Sequence, residues 1–245
     1  MTIFEKLASI AAKHAPAERF EGIVNRKGAE ATLYLYEEIT PEGMGGISAK
    51  QFAAAMKDAE GAKTLHLRIN SIGGTIYEAK AIYQALKDFP GKKVAHVDGL
   101  AASAASFIAM ACDEIITAPD ATWFVHGAQG VTMGSARAHR HIADILDMES
   151  ANIANIYARR TGQPLDVLNK LMDDNTFMTA QEAKGYGFTD SIAGEEAPSS
   201  KVKNEAPAQK ITSLAAETQR RITEARLKHA VSASRNSAPA SGRNK

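Results

Sequence analysis

Three times in its first 120 residues the chain passes from a stretch with a two-residue period, through a turn, into a stretch with a helical period. In ATLYLYEEI (31–39), Leu33 and Leu35 alternate with Tyr34 and Tyr36, the pattern of a half-buried strand. PEGMGG (41–46) is turn chemistry, and Ser48 with Gln51 forms the S-x-x-Q capping box that opens a helix, expected to run to about Asp58. TLHLRI (64–69) alternates again, NSIGGT (70–75) interrupts it, and IYEAKAIYQALKDF (76–89) places Ile76, Ala79, Ile82, Tyr83 and Leu86 on one helical face. A third strand over 92–98 leads into GLAASAASFIAMA (99–111), which reads as a turn and a helix before a strand around Glu114–Thr117. Strands separated by helices pair in parallel through right-handed crossovers, so the fold class is α/β.

The rest of the chain extends this scheme. TWFVH (122–126) is a short strand, and a long helical pattern from about 135 to 160 carries Ile142, Ile145, Leu146, Ile153 and Ile156 until TGQP ends it. A short helix follows over about 165–172, and MDDNTF (172–177) reads as a loop. Thr179 with Glu182 caps another helix, and FTDSI (188–192) closes as a strand. After Gly194 the composition turns to EEAPSSKVKNEAPAQK, too poor in apolar residues to bury a core of its own. The expected organisation is an N-terminal helix (1–18) and linker over 1–29, one domain over 30–194, and a tail over 195–245. Within the tail, 210–230 favours helix and 231–245 disorder.

Composition removes several function classes. Lys and Arg number 29 against 28 Asp and Glu, a net charge of +1, so no overall field draws the chain to nucleic acid or to an anionic membrane. The lone Cys112, inside IAMACDEII, excludes an internal disulfide framework and reads as a buried structural thiol. The stretch MTIFEKLASIAAKHAP has no signal-peptide core, and no run approaches the roughly 18 apolar residues of a membrane span. A soluble, cytoplasmic protein is expected. Neither G-x-x-x-x-G-K-[ST] nor G-x-G-x-x-G occurs. His139 and His141, two apart on a helix, do not share a face, so no cofactor and no metal are expected.

The chemistry concentrates in GLAAS. A serine at a strand-to-helix turn lies where unpaired N–H groups and the positive end of the helix dipole favour developing negative charge. Small neighbours Ala101, Ala102, Ala104 and Ala105 then admit an extended backbone. An N-cap serine among alanines chosen for tight packing fits the same residues. In NSIGG, consecutive glycines permit outward-turned amides, which pairs the N–H of Gly73 with that of Ala104 as an oxyanion hole; an ordinary glycine turn is the competing reading. His126, at the end of the TWFVH strand, is the histidine best placed to act as base. His66 and His96 fall inside strands, as packed or surface residues.

Taken together, these motifs resemble the proteolytic subunit family of Clp protease, most closely its phage head maturation (prohead) relatives. INSIGG resembles I-N-S-P-G-G with Ile72 in place of proline, GLAAS resembles G-x-A-A-S, and FVH matches the strand that carries the family's histidine. TGQPLDVLNKLMDDNTFMTAQEAKGYGFTDSI is similar to the family's closing segment. The resemblance covers about 30–194. It implies a spiral of ββα/βαβ units, the superfold shared with crotonases, and a serine endopeptidase that forms an acyl-enzyme. It further implies Ser103 as nucleophile, His126 as base, the Gly73 and Ala104 amides as oxyanion hole, and Ser106 as a bystander. The family's third triad member is an acid, but the matching residue here is Asn175, with Asp174 adjacent. An asparagine orients the imidazole without supplying charge. Implied partners are capsid or scaffold polypeptide and further copies of the chain in a ring stacked through 135–160. No mark of docking to an unfolding ATPase is legible, so no such partner is expected. Two other readings fit the same fold: an acyl-CoA hydratase or isomerase, for which Glu114 is a poor candidate acid, and a non-catalytic capsid-assembly subunit.

Overall fold

In the computed structural model of the chain, residues 25–195 are described; the expected N-terminal helix and tail lie outside them. The chain divides into two units, Met1–Ala197 and Pro198–Lys245. The elements of the first are β1 (Asn25–Lys27), β2 (Glu30–Leu35), α1 (Ala49–Asp58), β3 (Thr64–Ser71), α2 (Ile76–Asp88), β4 (Lys92–Ala102), α3 (Ala104–Ala109), β5 (Glu114–Thr117), β6 (Thr122–Val125), α4 (Ala136–Thr161), α5 (Leu165–Asp173), β7 (Thr176–Thr179), α6 (Ala180–Tyr186) and β8 (Ser191–Ile192). The sheet runs β1-β2-β3-β4-β5-β8. It is parallel except for the β1/β2 hairpin. This is the α/β class that the alternation of strand and helix periods implies, and its parallel sheet with intervening helices fits the spiral that the resemblance implies.

Both capping boxes form: Ser48 and Gln51 at α1, Thr179 and Glu182 at α6. The inward face of α2 buries Ala79, Ile82 and Leu86, and β2 and β3 bury every second residue. Cys112 is buried, and loss of hydration pushes its thiol up to about 12.

The feature that builds the site is β4, which is longer than its sequence pattern suggests and changes neighbours part-way. Val94–Val97 pair with β5, whereas Leu100–Ala102 pair with β6. Between the two lies a bulge: against β3, Ile69 faces Val97 but Ser71 faces Ala101, so β4 carries two extra residues and bends. Gly99 sits in that bulge, where a Cβ would come within 2.8 Å of the Asn70 side-chain oxygen. β6 continues the split with β7 as an antiparallel partner. Thr176–Phe177 thus begin a strand where the sequence reads as a loop. Ligand sites in parallel sheets form at carboxyl ends where neighbouring strands diverge, and the C-terminal end of β4 is such a place.

Candidate active site

Ser103 follows β4 immediately. It occupies the N-cap position of α3, one residue before the first helical turn, with φ 52° and ψ −123°. A non-glycine residue there is strained by about 1–3 kcal/mol, and the surroundings hold it in place. Its N–H donates to the Phe124 carbonyl at 2.8 Å, and its carbonyl accepts from the Ser106 N–H at 3.0 Å and from the Ser106 hydroxyl. Ser106 also meets the buried Tyr157 hydroxyl at 2.7 Å. Ser106, a bystander by resemblance, is therefore a buttress of the strained turn. Its only sequence signal was a hydroxyl one helical turn after Ser103.

Across 101–112 every residue except Ser103 is buried. The alanines around it face the core, so their small size serves packing rather than lining an open groove. What they admit is the NSIGG loop. Gly73, at φ 86°, lies so close that a Cβ would stand 2.6 Å from the Ala102 carbonyl oxygen, 2.6 Å from the Ala104 nitrogen and 2.9 Å from the Ser103 Cβ.

Ser103 makes no capping bond with its side chain, which separates it from an ordinary N-cap serine. Its Oγ lies 2.8 Å from His126 Nε2, and His126 Nδ1 lies 2.6 Å from the Gly127 carbonyl oxygen. A carbonyl only accepts, so Nδ1 carries the proton and Nε2 presents its lone pair to the Ser103 hydroxyl. This is the tautomer of a general base. Phe124 stacks on the imidazole at 5.1 Å and on Phe177 at 4.2 Å, which fixes the ring plane. His126 is only 8% exposed, and burial holds its pKa below the usual imidazole value, opposed by the Gly127 hydrogen bond.

The other expected site residues are placed as follows. Ala104 is the first residue of α3, so its N–H has no acceptor within the helix. The Gly73 N–H donates to Ser71 Oγ at 3.1 Å, and Ser71 donates to the Glu37 carbonyl at 2.6 Å; the sequence pointed to the glycine and passed over the serine that holds it. Asn175, at φ 52°, is exposed. Its amide oxygen lies 3.5 Å from Gln129 Nε2, and its amide nitrogen donates to the Asp173 carbonyl at 3.1 Å. Asp174 pairs with Lys170 at 2.8 Å. Glu114, the acid weighed for a hydratase, bonds Lys92 at 2.6 Å. Lys92 starts β4, roughly 30 Å from the Ser103 end at 3.3 Å per residue. His66 and His96 face each other across β3 and β4 at 3.0 Å.

A pocket of about 300 Å³ lies between Gly74–Tyr77, which follow Gly73 in the glycine loop, Gln129, and Leu146 and Glu149 of α4. Glu149 is buried and bonded to Lys80.

Against this geometry stand the chain's similarities to known proteins. The family model of Clp protease matches residues 15–196. The chain belongs to the Clp protease family. Similar proteins include ATP-dependent Clp protease proteolytic subunits from three organisms. That of Pleurastrum terricola is 36% identical over 138 residues, 55% of this chain and 69% of that protein. That of Chlorella vulgaris is 31% identical over 183 residues, 73% of this chain and 89% of that protein. That of Oltmannsiellopsis viridis is 28% identical over 183 residues, 73% and 91% respectively. Family membership makes the fold that of a peptidase. The relatives' names carry an ATP-dependence that runs against the sequence expectation of no ATPase partner.

Proposed function

We propose that this Clp-family chain is a serine-type endopeptidase in which Ser103 attacks the peptide carbonyl and His126 takes its proton. The observation that carries the reading is the 2.8 Å contact between Ser103 Oγ and the unprotonated Nε2 of a buried imidazole. His126 accepts the hydroxyl proton as the Oγ–carbon bond forms, then returns it to the leaving amine as the peptide C–N bond breaks, leaving an acyl-enzyme that water hydrolyses. The tetrahedral oxyanion is met by the Ala104 N–H at the start of α3 and by the glycine loop, with the Gly73 N–H shared between Ser71 and substrate. Asn175 occupies the third position by its place in the chain and supplies no charge. The Gly127 carbonyl accepts the Nδ1 proton. The pocket beside Ile76, Gln129 and Leu146 takes a substrate side chain.

The substrates we assign are capsid or scaffold proteins of an assembling phage head in the host cytoplasm, together with the chain's own tail after 194. The Ala/Glu/Lys-rich composition of that tail, which fits a scaffold-like or self-cleaved extension, supports this reading. Copies of the chain form a ring. Ile142, Ile145 and Leu146 on α4 are only half-buried, and Val131 and Met133 are almost fully exposed, apolar surface that a neighbouring copy covers. The relatives' names point to an ATPase as a further partner, and ATP-independent processing is the specific expectation.

Intact mass measurement of the purified full chain tests the reading. The wild type loses its tail and cleaves added capsid or scaffold protein without ATP, and Ser103→Ala does neither. Equal processing by both forms overturns it.

A further inference from the structure

Ser150 has no part in the mechanism so far, yet it is tied to it by hydrogen bonds. It lies on α4, one residue after the pocket-lining Glu149. Its Oγ accepts from the Ala128 N–H at 2.9 Å and donates to the Leu146 carbonyl at 2.8 Å. The Ala128 N–H belongs to the same peptide group as the Gly127 carbonyl, and that carbonyl receives the Nδ1 proton of His126 at 2.6 Å. A Cβ on Gly127 would meet Ser150 Oγ at 3.3 Å, so helix and loop are in close contact here. The donors therefore run in one direction. Ser103 O–H points to His126 Nε2, His126 Nδ1–H to the Gly127 carbonyl, the Ala128 N–H to Ser150 Oγ, and Ser150 O–H to the Leu146 carbonyl.

We infer that Ser150 is a positioning residue for the Ser103–His126 pair: it fixes the plane of the 127–128 peptide, whose carbonyl sets the tautomer and orientation of the imidazole. This rests on the serine peptidase reading. A peptide carbonyl carries only a partial charge, so its hold on an imidazole depends on geometry more than an aspartate's does. A free peptide in a loop rotates, whereas one anchored by a helix side chain does not. Each hydrogen bond in such a chain polarises the next, so anchoring the N–H side also makes the carbonyl a better acceptor for the proton of a forming imidazolium. The family's third residue here is an uncharged asparagine, which places correspondingly more weight on this peptide. α4 is the element that contributes both Ser150 and the Leu146 carbonyl closing the chain.

The test uses three full-length proteins, wild type, Ser150→Ala and Ser150→Thr, with 15N-labelled histidine; the His126 signals are assigned against a His126→Asn sample. Alanine is a better helix former than serine, so Ser150→Ala folds. In the wild type His126 is protonated on Nδ1. In Ser150→Ala the Nε2-protonated form becomes populated, kcat on a peptide substrate falls roughly tenfold with KM unchanged, as expected for one lost hydrogen bond that leaves a donor unpaired, and Ser150→Thr recovers both properties. Ser150→Ala with the wild-type tautomer overturns the inference, whether its rate falls or not, because a loss of rate alone reports packing. If the wild type cleaves nothing, the peptidase reading fails, and the tautomer comparison still decides the role of Ser150.

Discussion

Replacing Gly73 by alanine should damage both stability and chemistry, and the size of the effect follows from the coordinates. The new Cβ arrives 2.6 Å from the Ala102 carbonyl oxygen, 2.6 Å from the Ala104 nitrogen and 2.9 Å from the Ser103 Cβ. Two of the three are main-chain atoms of the strand-to-helix turn and the third is a Cβ fixed directly to it, so none can move aside as the far end of a flexible side chain can. Forcing an L residue to φ 86° adds roughly 1–2 kcal/mol, and overpacking adds roughly 1–3 kcal/mol. A total loss of about 2–5 kcal/mol is therefore expected, a large part of the roughly 5–15 kcal/mol that a domain has. The displaced atoms flank Ser103, and a shift near 1 Å in a reacting group costs about a hundredfold in rate. Gly28→Ala is the matched control, since its φ is 62° but nothing lies within 4 Å of its Cβ; it carries the backbone cost alone. Urea unfolding followed by circular dichroism, with peptide hydrolysis on the same samples, measures both effects. If Gly73→Ala unfolds at the same midpoint as Gly28→Ala and keeps the wild-type rate, the contact between the glycine loop and the Ser103 turn has been misread.

Two further outcomes are expected. Because burial lowers the pKa of His126, the neutral base is present at lower pH than a free imidazole allows, and the rate of acylation should rise through an apparent pKa below 6.5 and level off by neutrality; a midpoint above 6.5 contradicts the assignment. Between that lowered pKa and 6.5 the unfolded chain binds a proton that the folded chain does not, so His126 makes stability rise with pH in that window, and its contribution is complete above 6.5. Lys80→Met strands the Glu149 carboxylate, whose side chain is 5% exposed, and should cost about 2–3 kcal/mol in urea unfolding; adding Glu149→Leu should recover most of that, and a double variant no better than the single one contradicts a desolvated pair.

Much of the fold was legible in the sequence because local signals and tertiary structure agree. Ser48 with Gln51 and Thr179 with Glu182 form their boxes because a capping box needs only residues three apart. The periods of 31–35, 64–69 and 76–88 are local in the same way. What was not legible depends on contacts distant in the chain. Asn70, far from Gly99 in sequence, marks the bulge that bends β4, and the local strand pattern by itself stops at Asp98. β7 begins in the polar MDDNTF because Phe177 stacks on Phe124 across the β6 pairing, and no period within those residues announces it. Ser103 and His126 could be proposed from their places at strand ends. Of the serines that support them, Ser106 is marked only by its place one helical turn after Ser103, and Ser71 and Ser150 carry no signal of their own, since each acts through a backbone group whose position only the fold defines. The long helix shows the reverse: Ile142, Ile145 and Leu146 keep the apolar period but are only half-buried in the isolated chain, because that period records a face and not what covers it.

The central claim, that Ser103 is activated by His126, is tested most directly by exposing the native full-length protein to a serine-reactive phosphonate and mapping the adduct by mass spectrometry. The expected result is one adduct, on Ser103, lost in Ser103→Ala and slowed by several orders of magnitude in His126→Ala. An adduct on another serine, or Ser103 labelling that persists at the wild-type rate in His126→Ala, contradicts the account.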